Sequence, residues 1–95
     1  MTVSVTVYSQ PACVQCIATY RALEKLRIAY TSVDLEDRSD LVTWIRDVLG
    51  HTRAPVVVVD QDPGTHWSGY RPERIAALIG TANVFGVAVE HEAVR

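Results

Sequence analysis

The sequence predicts a small α/β fold, a mixed four-stranded sheet with three helices on its two faces. Three observations predict it. Near the start, Val3, Val5 and Val7 alternate with Thr2, Ser4 and Thr6, a β-branched run of strand period. Directly afterwards the period becomes helical, with Ile17, Tyr20, Leu23 and Leu26 recurring every third residue. Further on, Val56 to Val59 is an unbroken apolar run, as expected of a central strand covered on both faces.

Taken in order, the first strand ends at Tyr8 and Ser9-Gln10-Pro11-Ala12 is a loop, because Pro11 lacks an N–H and biases Gln10 away from helix. The first helix starts at about Val14 and runs to about Arg27, with Arg21, Glu24 and Lys25 on its polar face. Ile28 to Asp34 reads as a second strand. Asp37 or Ser39 is suited to cap a second helix marked by Leu41, Ile45, Val48 and Leu49 and ended by Gly50. His51 to Pro55 is a loop, the valine strand follows, and Gln61-Asp62-Pro63-Gly64 turns it into a short partner strand at His66-Trp67-Ser68. Gly69-Tyr70-Arg71 breaks that strand, Pro72 suits the first position of a third helix carrying Ile75, Leu78 and Ile79, and Gly80 is its expected stop. The fold domain is therefore residues 1–80. Residues 81–95 form a C-terminal extension of unknown role, in which Val87 and Val89 alternate as in an edge strand or an ordered tail. Trp44 and the other helix-face apolar residues are expected in the core, and His51, His66 and His91 at the surface.

The composition narrows the function. Ninety-five residues make one domain, and 48% apolar with 21% charged residues is globular rather than disordered. The net charge is −2 and the basic residues are scattered, so no nucleic-acid partner is expected. No apolar run approaches the roughly 20 residues of a membrane span, and the strand-like start lacks the basic region of a signal peptide. Two cysteines are too few for a disulfide scaffold, and a reducing cytoplasm is the simplest compartment.

Those two cysteines, Cys13 and Cys16, are the chemical centre. With the helix beginning at or just after Cys13, the first thiol sits where unpaired N–H groups and the helix dipole favour an anion. Such placement lowers a cysteine pKa from about 8.5 to roughly 3.5–7.5, and the thiolate is the species that attacks disulfides. Cys16, one turn inside, is more shielded. Such a pair divides the work: Cys13 opens a substrate disulfide as nucleophile, and Cys16 resolves the mixed disulfide. A structural zinc site is the competing reading, but it needs four ligands and the histidines show no His-x₃₋₅-His spacing. A cluster bridging two chains would require glutathione as an additional ligand. No metal and no cofactor are expected.

Three stretches resemble the glutaredoxin-like redoxins called NrdH, small bacterial proteins of the thioredoxin/glutaredoxin fold. Tyr8-Ser9-Gln10-Pro11-Ala12-Cys13-Val14-Gln15-Cys16 is similar to that family's active-site segment. Ala54-Pro55-Val56-Val57-Val58 resembles its proline loop and third strand. Trp67-Ser68-Gly69-Tyr70-Arg71-Pro72 resembles its Trp-Ser-Gly-aromatic-Arg-Pro signature, the most discriminating of the three. The resemblance spans roughly Thr2 to Gly80. It implies a dithiol electron donor to a class Ib ribonucleotide reductase, re-reduced by thioredoxin reductase and expected to act as a monomer. It further implies a cis Pro55 and a partner-binding rim from Tyr8, Ala12, Val14, Gln15, Ala54, Pro55, Trp67, Ser68, Gly69, Tyr70 and Arg71. Tyr8 and Trp67 have packing as an alternative role. Arg71, at a helix start where its charge opposes the dipole, needs a local acceptor or a partner.

Two other functions compete. A binding module that kept only the fold would not need both cysteines. A glutathione-dependent glutaredoxin typically has a basic residue before the first cysteine and a Gly-Gly-x-x-Asp-type turn before the last helix. Here those positions hold Gln10, where the resembled family often has Lys, and Ser68-Gly69-Tyr70-Arg71-Pro72, with no acid before Glu73. Arg38 and Arg53 remain as possible cationic contacts.

Overall fold

The computed structural model describes residues 3–84. Its elements are β1 (Ser4–Ser9), α1 (Val14–Lys25), β2 (Ala29–Asp34), α2 (Ser39–Trp44) with a π-helical continuation (Ile45–Leu49), β3 (Val56–Val59), β4 (His66–Ser68) and α3 (Pro72–Val84). The strands form one sheet in the order β2-β1-β3-β4. β1 is parallel to β2, with Ser4 opposite Ala29 and Ser9 opposite Asp34. β1 is antiparallel to β3, with Val5 opposite Val59, and β3 is antiparallel to β4, with Val57 opposite Trp67. This is the thioredoxin/glutaredoxin fold that the sequence predicts.

The valine run explains the layering. Successive side chains of a strand point to opposite faces, and all four valines are buried. Val57 and Val59 join Val5, Val7 and Trp67 against Leu23 and Ile28 and against Ile75 and Leu78 of α3. Val56 and Val58 join Ile45 on the other face, with Tyr8, Leu35, Trp44 and Leu49 packed around them. Each fully buried apolar side chain of this size contributes about 1.5–3 kcal/mol, so both helix layers rest on four consecutive residues.

Several expectations need correction. The buried stripe of α1 is Cys16, Thr19 and Leu23, so Ile17, one position round from Cys16, is 50% exposed instead of core. Neither Asp37 nor Ser39 caps α2. Asp37 lies in the left-handed region at φ 61°, Ser39 is already helical, and Arg38 occupies the cap position without a side-chain bond. Val48 is 67% exposed, because the wider π turn carries Leu49, not Val48, onto the face of Ile45. Gly50 does end the helix, left-handed at φ 79°. Gly80 does not end α3, which continues to Val84. No proline follows it, and an interior glycine costs only about 1 kcal/mol relative to alanine, too little to stop a helix whose neighbours permit it. The alternation at Val87 and Val89 lies outside the described residues. Among those described, no helix is long and apolar enough to cross a membrane.

The end of α1 fixes the entry to β2. Arg27 N–H donates to Glu24 O at 3.1 Å and Ile28 N–H to Leu23 O at 2.9 Å, while Leu23 and Ile28 share the core. This is a Schellman cap whose left-handed position, Arg27 at φ 60°, usually belongs to glycine. A left-handed residue with a Cβ costs about 1–2 kcal/mol, partly offset by glycine's larger unfolded-state entropy. Arg27→Gly is therefore expected to stabilise the domain by about 0.5–1 kcal/mol, a rise in Tm of roughly 2–8 °C. Thermal unfolding followed by circular dichroism checks this, and a fall in Tm would show that the Arg27 side chain matters more than its backbone.

Candidate active site

β1 delivers the chain to the top of the sheet, where Leu35 N–H closes onto Ser9 O at 2.7 Å. Ala12, left-handed at φ 57°, then turns it into α1. Cys13 is the N-cap residue of α1 in extended conformation, and its Sγ accepts the backbone N–H of Cys16 at 3.1 Å. Its carbonyl accepts Ile17 N–H at 3.2 Å. The first turn of α1 carries no acidic side chain, so no carboxylate competes for the positive end of the helix. Cys13 is half-buried, whereas Cys16 is 2% exposed. The two are joined as a disulfide with Cα atoms 5.2 Å apart. Fully buried Thr19 lies one turn behind Cys16, its hydroxyl donating to Gln15 O at 2.9 Å.

The second wall comes from the loops at the start of β3 and the end of β4. The Ala54–Pro55 peptide is cis, as the resemblance implies. Pro55 O accepts Gly69 N–H at 2.8 Å, and Ser68 Oγ donates to Arg53 O at 2.8 Å. Gln15, between the cysteines in sequence, reaches across: its Oε1 accepts Tyr70 N–H at 2.9 Å. Three segments far apart in the chain are thereby tied into one rim by backbone-directed bonds.

The predicted site residues do not all present themselves alike. Val14 is 79% exposed, and Ile17 and Tyr70 are exposed as well. Ala12 is exposed and Ala54 half-buried. Pro55 and Trp67 are buried, contributing backbone and support rather than surface. The Trp67 ring lies in the core under the Arg74 guanidinium, 5.1 Å from the ring centroid, and its Nε1–H finds no partner among the described residues. Tyr8 is held by packing, edge-on to Trp44 with centroids 5.8 Å apart. Arg71 finds its acceptor in Glu73 of the first turn of α3, which holds that carboxyl below the usual carboxylate range through the backbone N–H and the guanidinium.

Three features escaped the sequence. Ile17 belongs to the exposed surface; its spacing from Val14, one helical turn, was the available signal. Beside the cysteine loop lies a groove of about 400 Å³, floored by Leu35, Ile45 and Val56 and bordered by Gln10, Arg46 and Arg53. Of the two arginines considered as cationic contacts, Arg53 borders that groove and Arg38 is paired with Asp40 at 3.2 Å. Finally, His51 and His66 are not separate surface residues but face each other at 2.7 Å. No group of three or more His, Cys, Asp or Glu side chains converges among the described residues.

A Cys-x-x-Cys disulfide heading a helix, walled by a cis-proline loop on this sheet, defines a thiol–disulfide oxidoreductase. The sequence profile of the glutaredoxin family matches residues 5–63. The NrdH glutaredoxin-like protein of Salmonella typhimurium is 35% identical over 75 residues, covering 79% of this chain and 88% of that protein. The Gene 56 protein of Mycobacterium phage D29 is 32% identical, covering 79% of this chain and 81% of its own. In three dimensions the chain is similar to the Escherichia coli NrdH-redoxin, a glutaredoxin-like protein with a thioredoxin-like activity profile. That match has a TM-score of 0.69 at 31% identity, covering 79% of this chain and 93% of the other. The chain belongs to the glutaredoxin family, within it to the NrdH-type redoxins.

Gly69 tests the rim. It sits at φ 86°, and a Cβ there would lie 3.2 Å from Gln15 Oε1. The side-chain amide can yield cheaply; the backbone cannot. Gly69→Ala is expected to cost about 1–2 kcal/mol in denaturant unfolding, and adding Gln15→Ala should not restore it. Full recovery in the double variant would place the cost in the contact instead of the backbone.

Proposed function

We propose that this redoxin is a dithiol reductant of protein disulfides in which Cys13 attacks and Cys16 resolves. The supporting observation is the asymmetry of the pair: Cys13 caps the helix and reaches solvent, while Cys16 is covered. In the reduced protein the Cys13 thiolate attacks one sulfur of the substrate disulfide. A Cys13–substrate disulfide forms, and the other substrate sulfur leaves as a thiolate that takes up a proton. Cys16, deprotonated, then attacks Cys13 Sγ, forming the Cys13–Cys16 disulfide and expelling the second substrate thiol. Two electrons pass to the substrate, and the disulfide-bonded chain is the product state.

The acceptor is a class Ib ribonucleotide reductase and the electron source thioredoxin reductase, with the chain acting as a cytoplasmic monomer. Kinship with the NrdH proteins supports the acceptor, and the thioredoxin-like activity profile of the Escherichia coli relative supports the source. The rim favours docking of another protein over capture of a small zwitterion: Val14, Ile17 and Tyr70 expose apolar surface, and Gln10 carries no charge. Tyr8, Ala12, Gln15, Ala54, Pro55, Trp67, Ser68, Gly69 and Arg71 complete or support it.

Cys16→Ser is expected to accumulate a stable mixed disulfide with a protein substrate and Cys13→Ser none, read on non-reducing gels; equal trapping by both would abolish the assignment. In coupled NADPH oxidation, turnover with thioredoxin reductase should exceed turnover with glutathione and its reductase by at least about tenfold. Each missing charge-assisted bond to glutathione weakens it by one to two orders of magnitude. Matching rates at millimolar glutathione would make the protein a glutathione-dependent glutaredoxin with an unusual binding loop.

A further inference from the structure

The redox chemistry makes no use of the histidine pair. His51 follows Gly50 at the end of the π turn, where its N–H donates to Ile45 O at 3.1 Å. His66 opens β4 opposite Val58. Both rings are partly buried and meet edge to face, centroids 4.9 Å apart and planes at 81°, with His51 Nε2 2.7 Å from His66 Nδ1. Each stands at the root of one site loop. His51 leads through Thr52 and Arg53 to Ala54–Pro55, and His66 leads through Trp67 to Ser68, Gly69 and Tyr70. The Ser68–Arg53 and Gly69–Pro55 bonds join the same two segments closer to the dithiol.

A hydrogen bond between two imidazoles needs one facing N–H and one facing bare nitrogen. A neutral pair satisfies this, and so does a pair with one added proton. Two added protons leave two donors face to face and two positive charges in contact. The surroundings offer no compensation. β3 contributes only valines, Val56 and Val58, on this face. In the π-helical continuation of α2, Arg46 and Asp47 are paired with each other at 2.9 Å, and Arg53 in the loop adds a positive charge. In the turn before β4, Asp62 accepts from Thr65, while Asp60 accepts from Ser4 and Thr6. Glu36 borders the groove shared by His51, Arg46 and Arg53, and its carboxylate bonds neither ring. Burial first, and then His66, hold His51 below the usual histidine range.

We propose that the His51–His66 bond is a clasp that positions the two loops of the docking rim, closed with at most one shared proton and opened by a second. His51 and His66 are positioning residues, acting on how protein disulfides bind and not on the dithiol itself. The proposal rests on the reading that protein disulfides dock on this rim. Opening the clasp removes one hydrogen bond, which corresponds to about a two- to tenfold weaker half-saturation by a protein disulfide. Because the folded chain holds His51 neutral to lower pH than the unfolded chain does, stability also falls as the pH drops from about 6.5 toward its lowered midpoint.

The test is stopped-flow reduction of insulin and of a small aromatic disulfide by the pre-reduced full chain between pH 5.0 and 7.5, with His66→Ala and His66→Asn. In the natural chain, half-saturation by insulin should rise about two- to tenfold toward pH 5.0. His66→Ala should show the raised value throughout. His66→Asn, whose amide can bond His51 without charging, should keep the low value throughout. Rates with the small disulfide should agree among all three at each pH. His66→Ala matching the natural chain at every pH overturns the clasp while leaving the function intact. Failure of the natural chain to reduce insulin, with the small disulfide still reduced, overturns the docking reading and the clasp with it. If His66→Ala does not fold, ring titration of the natural chain and of His66→Asn by NMR decides. A His51 midpoint below about 6.5 that rises in His66→Asn supports the clasp, and an ordinary His51 midpoint in the natural chain overturns it.

Discussion

The bond from Cys16 N–H to Cys13 Sγ is the interaction on which the site depends. It exists because Cys13 stands at the N-cap, where a helix has donors without internal acceptors and a sulfur can serve as one. Everything upstream brings it there: β1 ends at Ser9, and Ala12 takes the left-handed turn. The same geometry separates the cysteines in accessibility, since Cys16 falls on the buried stripe of α1 with Thr19 and Leu23 while Cys13 stands at the end of the helix. One local feature thus places one sulfur at the cap of the helix and the other under cover.

The rim opposite is a consequence of the valine strand. Four consecutive valines commit β3 to the middle of the sheet with a helix layer on each side, which leaves its N-terminal end, at Pro55, beside the head of α1. β4 returns antiparallel, so Ser68 and Gly69 arrive alongside Arg53 and Pro55 and bond to their carbonyls. Gln15 closes the circle through Tyr70 N–H. The residues of this circle contribute backbone geometry, while Val14, Ile17 and Tyr70 contribute exposed apolar surface.

Much of this was legible in the sequence for identifiable reasons. The succession of elements along the chain, the hairpin, the double-sided burial of Val56 to Val59 and the Gly50 stop all follow from strong local signals: β-branched runs, a Pro-Gly turn and a glycine free to adopt positive φ. What was not legible depends on rotations set elsewhere. A π turn moved Val48 out and Leu49 in, and a single helix position separated buried Cys16 from exposed Ile17. Arg27 accepts a left-handed cap because Leu23 and Ile28, on either side of it in the chain, share the core while Arg27 itself stays exposed. The approach of His51 and His66 comes from a loop and a strand that only the folded sheet brings together, so no spacing rule could reveal it.

Cys13, at the head of α1, is proposed to be the activated thiol. The most direct measurement is the rate of alkylation of the reduced protein by iodoacetamide as a function of pH, with the modified cysteine identified by mass spectrometry. Modification is expected at Cys13, with a rate that has levelled off by neutral pH because the thiolate is already formed there. A rate still climbing through about pH 8.5, as for a free thiol, or modification at Cys16 first, would contradict it.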